Sequence, residues 1–210
     1  GSLAAALFLN VKVLGTSFFR TLFFIPSLIP IVASTILWAW LLQPDWGLLN
    51  GALHQIGITG PRWFESQDWA IPGLISLALW TSVGGPRMII FLAGLQGVPV
   101  ELHDAASMDG ATRWQRFRHV TVPMITPTIF FNLVLGVIGA LQVFTSAFVA
   151  TEGGPAYATW FYALNIYYQA FQYFNMGYAS ALAWLFAILI IFLTWLELRS
   201  SKSWVYYGGE

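Results

Sequence analysis

Cysteine is absent from this 210-residue chain, and charge is scarce: nine basic and nine acidic side chains make up 9% of it. Without thiols there are neither disulfides nor thiolate metal sites. The three histidines, His54, His103 and His119, are too scattered for metal-ligand spacing. The charges cancel, which argues against nucleic acid as a partner, since that needs a basic face. Lysine occurs only at Lys12 and Lys202, and no G-x-x-x-x-G-K-[ST] run is present, so the chain has no phosphate loop. No nucleophile with a base, and no paired acid and histidine, lies in an apolar run, so no covalent chemistry is expected.

Apolar residues are what the chain has in abundance: 58% are hydrophobic and 17% aromatic. A soluble domain carries about a quarter charged residues, so lipid is the solvent this composition suits. About 20 apolar residues cross a bilayer. The stub from Gly1 to Val11 falls short and has no basic leader, so it reads as the end of a helix whose first half is absent, not as a signal peptide. Leu22 to Gln43 is uncharged and reads as one span despite Pro26 and Pro30. A polar connector runs from Gln43 to Trp69. The next span is Ala70 to Gln96, interrupted by Gly84, Gly85, Pro86 and Arg87, and Val120 to Ala150 supplies another.

From Glu152 to Glu197 no charge appears, a run long enough for two helices. Cytoplasmic loops collect Lys and Arg, and this rule decides the parity. With a single span in that run, from Tyr178 to Leu196, seven of the nine basic residues fall on the side of the Val98–His119 loop. Tyr157 to Tyr173, with Asn165, Gln169 and Gln172 among many aromatics, is then a short helix on the external face. The expectation is an all-α, polytopic membrane helix bundle: one domain over 1–210, four full spans plus the stub, and a cytoplasmic loop at about 98–119.

That loop reads VPVELHDAASMDGATRWQRFRHVTVPMITP from Val98 to Pro127. Pro99 suits a first helical position, Glu101 and Asp104 sit near the positive end of the dipole, and Gly110 can take the left-handed conformation that ends a helix. A second segment, Ala111 to His119, mixes Arg113, Arg116 and Arg118 with Trp114 and Phe117, a blend that fits the headgroup layer. Together they predict a compact helical hairpin; a basic loop that only fixes topology has the same charge.

The loop resembles the Glu-Ala-Ala loop of binding-protein-dependent ABC importer permeases: Glu-Ala-Ala, three residues, Gly, nine residues, then Ile-x-Leu-Pro. Here Asp104-Ala105-Ala106, Gly110 and Val120-Thr121-Val122-Pro123 keep both gaps, with conservative changes at three positions. Met108 to Ala111, Trp114-Gln115, Phe117, Phe18 to Thr21, Leu92 to Gln96, Gly153-Gly154-Pro155 and Trp204 to Tyr207 resemble the sugar-transporting, maltose and oligosaccharide type of branch. The resemblance implies the fold of a type I ABC importer permease in a bacterial or archaeal inner membrane. It also implies a coupling helix, Glu101 to Asp109, with Asp104, Ala105, Ala106, Met108 and Gly110 docking on a cytoplasmic ATPase dimer that holds the ATP and magnesium. This chain would bind no cofactor itself. A second permease subunit and an external sugar-binding protein complete the implied assembly.

Polar residues at membrane depth tend to face a bundle interior or a wet path. Candidates for the path are Trp80, Gly84 and Gly85 at the expected break, and Asn132, Gln142 and Phe144 on the following span. A bond to a neighbouring helix is the ordinary alternative for Asn132 and Gln142, and a carbonyl or carboxylate partner for Arg87. The resemblance favours Gln142 and Phe144 as contacts to solute. Asp45, Arg62, Glu65, Asp68 and Glu152 are external charges, within reach of a binding protein or simply solvated. Rival readings are an ion-coupled secondary transporter, which calls for buried ionisable residues, and an importer for a non-sugar solute such as glycerol phosphate.

Overall fold

The computed structural model describes residues 1–11 and 15–206. Lys12 and Tyr207, both used above, lie outside the described residues. Helix is the regular structure that the described residues form, with no strand among them. The helices are α1 (Ser2–Leu9), α2 (Thr16–Leu28), α3 (Ile31–Leu41), α4 (Leu48–Gln55), α5 (Gln67–Ser82), α6 (Pro86–Gln96), α7 (Val100–Met108), α8 (Arg113–Arg116), α9 (Val122–Met124), α10 (Thr126–Leu141), α11 (Thr145–Ala150), α12 (Tyr162–Tyr167) and α13 (Met176–Ser201). Two wider, π-type turns, Phe117–Thr121 and Tyr168–Gln172, follow α8 and α12.

Two stretches, Thr126–Ala150 and Met176–Ser201, are each long and apolar enough to cross a membrane. The pair α5 and α6 meets the same test as a broken span, interrupted at Gly84 and Gly85, as the sequence predicts. Leu22 to Gln43 is a correction. It is not one continuous helix: α2 ends at Leu28 and α3 starts at Ile31, and the two meet the length and composition test only together, as a broken pair. Pro30 caps α3 with extended backbone (ψ 136°), and a proline disfavours helix at the residue before it. Pro26, by contrast, is carried inside α2. Val120 to Ala150 is also divided, with breaks at Ile125 and at Gln142–Phe144. Tyr157 to Tyr173 does yield a short helix, α12 with its π-type extension.

The chain forms two compact units. The first holds Gly1–Ser27, Ser82–Ile138 and Phe192–Glu210; the second holds Leu28–Thr81 and Gly139–Ile191. In the first, α6 buries Met88, Phe91, Leu92 and Leu95, the spacing of one helix face, against Ala5, Ala6 and Leu9 of α1. The two alanines let the helices approach closely, which counts in lipid, where packing rather than water exclusion drives association. Ser2 adds a bond from its hydroxyl to the Ser82 carbonyl (3.1 Å).

In the second unit, α3 packs on α11, and Leu74, Ala147 and Leu164 form a core lined by Phe64, Phe144, Phe148 and Trp160. Trp38 stacks on Trp80 at 4.9 Å and donates to the Ser76 hydroxyl (2.8 Å). The connector from 43 to 69 is ordered around Asn50. Its amide nitrogen donates to the carbonyls of Pro44 and Pro61 (both 3.1 Å), and its oxygen accepts from the Trp63 indole (2.9 Å).

Gly84 tests this packing. A Cβ there would fall on the carbonyl oxygen of Phe23, which is backbone and cannot swing aside. Overpacking of this kind costs about 1–3 kcal/mol. Gly84→Ala should therefore lower the thermal midpoint of the detergent-solubilised chain, followed by tryptophan fluorescence, by several degrees. Gly51→Ala, where the new methyl meets open space, should leave the midpoint unchanged or raise it.

Candidate functional site

The hairpin from Val100 to Thr121 holds itself together. At the end of α7 the Gly110 amide donates to the Ser107 carbonyl (3.1 Å) and the Ala111 amide to the Ala106 carbonyl (3.0 Å). This is the Schellman cap, and it needs the left-handed Gly110 (φ 77°) that the sequence predicts. The chain reverses into α8 through a capping box of Thr112 and Gln115. Arg116 then reaches back to the Ser107 hydroxyl (2.6 Å), and that hydroxyl donates to the His103 carbonyl (2.8 Å). A cavity of about 290 Å³ lies in the angle, lined by Ala106, Asp109, Gly110, Gln115, Arg116 and His119 among others.

The predicted coupling residues Glu101, Asp104, Ala105, Ala106, Met108, Asp109 and Gly110 thus share one short element and its cap, and none is buried. The carboxylates of Glu101, Asp104 and Asp109 form no ion pair among the described residues. Beside them Val100 (66% exposed), Leu102, Met108 (90%) and Trp114 (67%) present apolar surface. The helix begins at Val100, with Pro99 as its cap, one residue later than the sequence reading.

The candidate path residues divide between the units. Trp80 is in the second unit, stacked on Trp38. Phe144 lies at the start of α11, stacked on Phe148 (5.6 Å) and against Tyr167 (5.2 Å); Gln142, in the preceding break, is exposed. Gly84, Gly85 and Asn132 belong to the first unit, and all three are buried. Asn132 donates to the Thr128 carbonyl one turn back (2.9 Å), while its side-chain oxygen is buried without a donor. Arg87, half-buried, donates to the Leu135 carbonyl (3.3 Å).

Sequence reasoning missed what holds the turn that closes α11. The hydroxyls of Thr151 and Thr159 meet at 2.6 Å, and Thr159 donates to the Gly154 carbonyl (2.9 Å). Around it lie Tyr157, Trp160 and Tyr168, with Trp160 and Tyr168 4.7 Å apart. Desolvation holds the Tyr168 phenol above its ordinary pKa, and the charge of Glu152 adds to this. The Gly153-Gly154-Pro155 run marks a turn; the paired threonines, eight residues apart, carry no local signal. Of the charges expected on the external face, Arg62 and Glu65 form an ion pair (3.0 Å from Nε).

The family model for the inner membrane component of binding-protein-dependent transport systems matches residues 1–203. The chain belongs to this family of ABC transporter permeases. The permease is 41% identical over 213 residues to the probable ABC transporter permease protein YesP of Bacillus subtilis (strain 168), covering all of this chain and 68% of that protein. It is 33% identical over 203 residues to the lactose transport system permease protein LacF of Rhizobium radiobacter, covering 94% of this chain and 67% of that one. Among solved structures it resembles a chain of a bacterial ABC transporter that imports the acidic polysaccharide alginate, with a TM-score of 0.88 and 28% identity over 96% of this chain and 71% of the other. The polytopic, all-α architecture is that of an ABC importer permease.

The Arg116–Ser107 bond gives the hairpin a testable rigidity. A single exposed bond of this kind is worth about 1 kcal/mol. Arg116→Ala should accelerate amide exchange across Ala105–Thr112 about fivefold in hydrogen–deuterium exchange, with no change in α13.

Proposed function

We propose that the permease forms the translocation path of a sugar importer in a cytoplasmic membrane and receives its energy through the α7–α8 hairpin from a separate ATPase. The observation that carries this reading is the hairpin itself. Its fold is secured by its own backbone and by Arg116, so the exposed apolar and acidic side chains of α7 are not needed to hold it. An exposed apolar patch on a self-sufficient element is what a docking partner covers. In this reading Leu102 and Met108 enter a cleft of the ATPase, with Glu101, Asp104 and Asp109 meeting basic residues at its rim. Closure of the ATPase dimer then moves the hairpin as a lever against the spans that begin at Thr126.

The sugar assignment draws on the relatives for lactose and alginate. A periplasmic partner is supported by the alginate transporter, whose structure includes an alginate pentasaccharide-bound periplasmic protein. Within this chain, a ring platform of Phe144, Phe148 and Tyr167 suits pyranose stacking, and Gln142 beside it supplies an exposed amide. A second permease subunit completes the path, and ATP and magnesium belong to the ATPase. As the permease, this chain performs no chemical step.

Co-purification with the candidate ATPase in mild detergent tests the coupling. Leu102→Asp with Met108→Asp changes only exposed side chains and leaves Gly110 and Arg116 in place. The double variant should insert normally yet lose at least nine-tenths of the ATPase retained by the wild type. Equal retention would remove the hairpin from the interface. If the wild type holds no ATPase at all, that candidate is not the motor of this permease.

A further inference from the structure

Arg87 is a cation whose charge nothing in the described chain answers. It forms no ion pair among the described residues. Its one side-chain hydrogen bond goes to the Leu135 carbonyl at 3.3 Å, and a guanidinium has five N–H groups to place. Leu135 lies near the middle of the 25-residue span Thr126–Ala150, so this charge sits at membrane depth, where it is costly and needs a counter-charge.

Local structure gives Arg87 no compensation either. It is the second residue of α6, directly after Pro86, at the positive end of the helix dipole, where a cation is disfavoured and an anion is drawn in. Beside it stands Gly136, where an added Cβ would come into van der Waals contact with Nη1 (3.9 Å), so the glycine leaves room next to the half-buried guanidinium. The first turn of α6 follows the Gly84–Gly85 break, so the span is interrupted at the point where the charge is placed.

We infer that Arg87 is a recognition group for the carboxylate of an acidic sugar, so that the solute class is uronate-containing oligosaccharides, not neutral ones. This rests on the sugar-importer reading and narrows it. A planar guanidinium with free N–H groups binds a carboxylate through two parallel bonds, a geometry that the point charge of lysine does not reproduce.

The test uses the whole importer, with both permeases, ATPase and binding protein, in liposomes. Two pools of solute are compared: short uronate oligosaccharides from a partly hydrolysed acidic polysaccharide, and the same pool after carboxyl reduction. The readout is the ratio of uptake from the acidic pool to uptake from the neutral one. Wild type should give a ratio of at least ten, Arg87→Gln a ratio near one, and Arg87→Lys a value between. A wild-type ratio at or below one overturns the inference. So does a ratio that Arg87→Gln leaves unchanged, or a parallel loss of both uptakes, which would assign Arg87 to a carboxylate on the second permease subunit. Silence toward both pools, with the ATPase still bound, removes the sugar reading and this inference with it.

Discussion

Backbone polar groups find no water in hydrocarbon, so each interruption of a helix has to be closed from within the protein. Short polar side chains do much of that work in this permease. Ser27, in the last turn of α2 before Pro30, donates to the Phe24 carbonyl (2.8 Å). Thr126, at the break before α10, donates to the Pro123 carbonyl (2.6 Å) and accepts from the amide of Tyr206 (2.9 Å), which ties the chain's last described residue to the start of a span. Thr35, Ser76 and Thr81 return their hydroxyls to their own helices in the same way. Seen so, the serines and threonines of the apolar runs are structural before they are functional. The residues that break this economy, Arg87 with its unspent donors and Asn132 with its unpaired oxygen, stand out against that background.

The two cores follow from the same solvent. Burying an apolar side chain within the protein exchanges lipid for protein, so the gain comes from close fit. Alanines serve that end: Ala5 and Ala6 between α1 and α6, and Ala147 in the core of the second unit, are all nearly inaccessible. The large apolar residues of α13, Trp184, Leu185, Ile188 and Ile191 among them, stay exposed, as suits a helix whose solvent is lipid.

Much of this was legible beforehand. The Asp104–Pro123 spacing marked the hairpin, Gly110 marked its cap, and the Gly84-Gly85-Pro86 cluster marked the break between α5 and α6. Composition identified the solvent without any motif. Pro30 was misjudged because two prolines four residues apart look alike in sequence. Pro26 is absorbed within α2 while Pro30 caps α3. The Asn50 clasp, the Trp38–Trp80 stack and the Thr151–Thr159 pair were not legible. Each joins residues through tertiary geometry, and none has a periodicity to betray it.

The cap on α7 has an evolutionary reading. Its bonds run from backbone to backbone and require only that one position, Gly110, be a glycine. Ser107 apart, which holds Arg116, the outward side chains of the helix therefore carry no obligation to the fold. They are free to drift together with whatever surface they meet while the hairpin keeps its shape. A glycine in a turn thereby lets the shape of the element be inherited separately from the chemistry of its face.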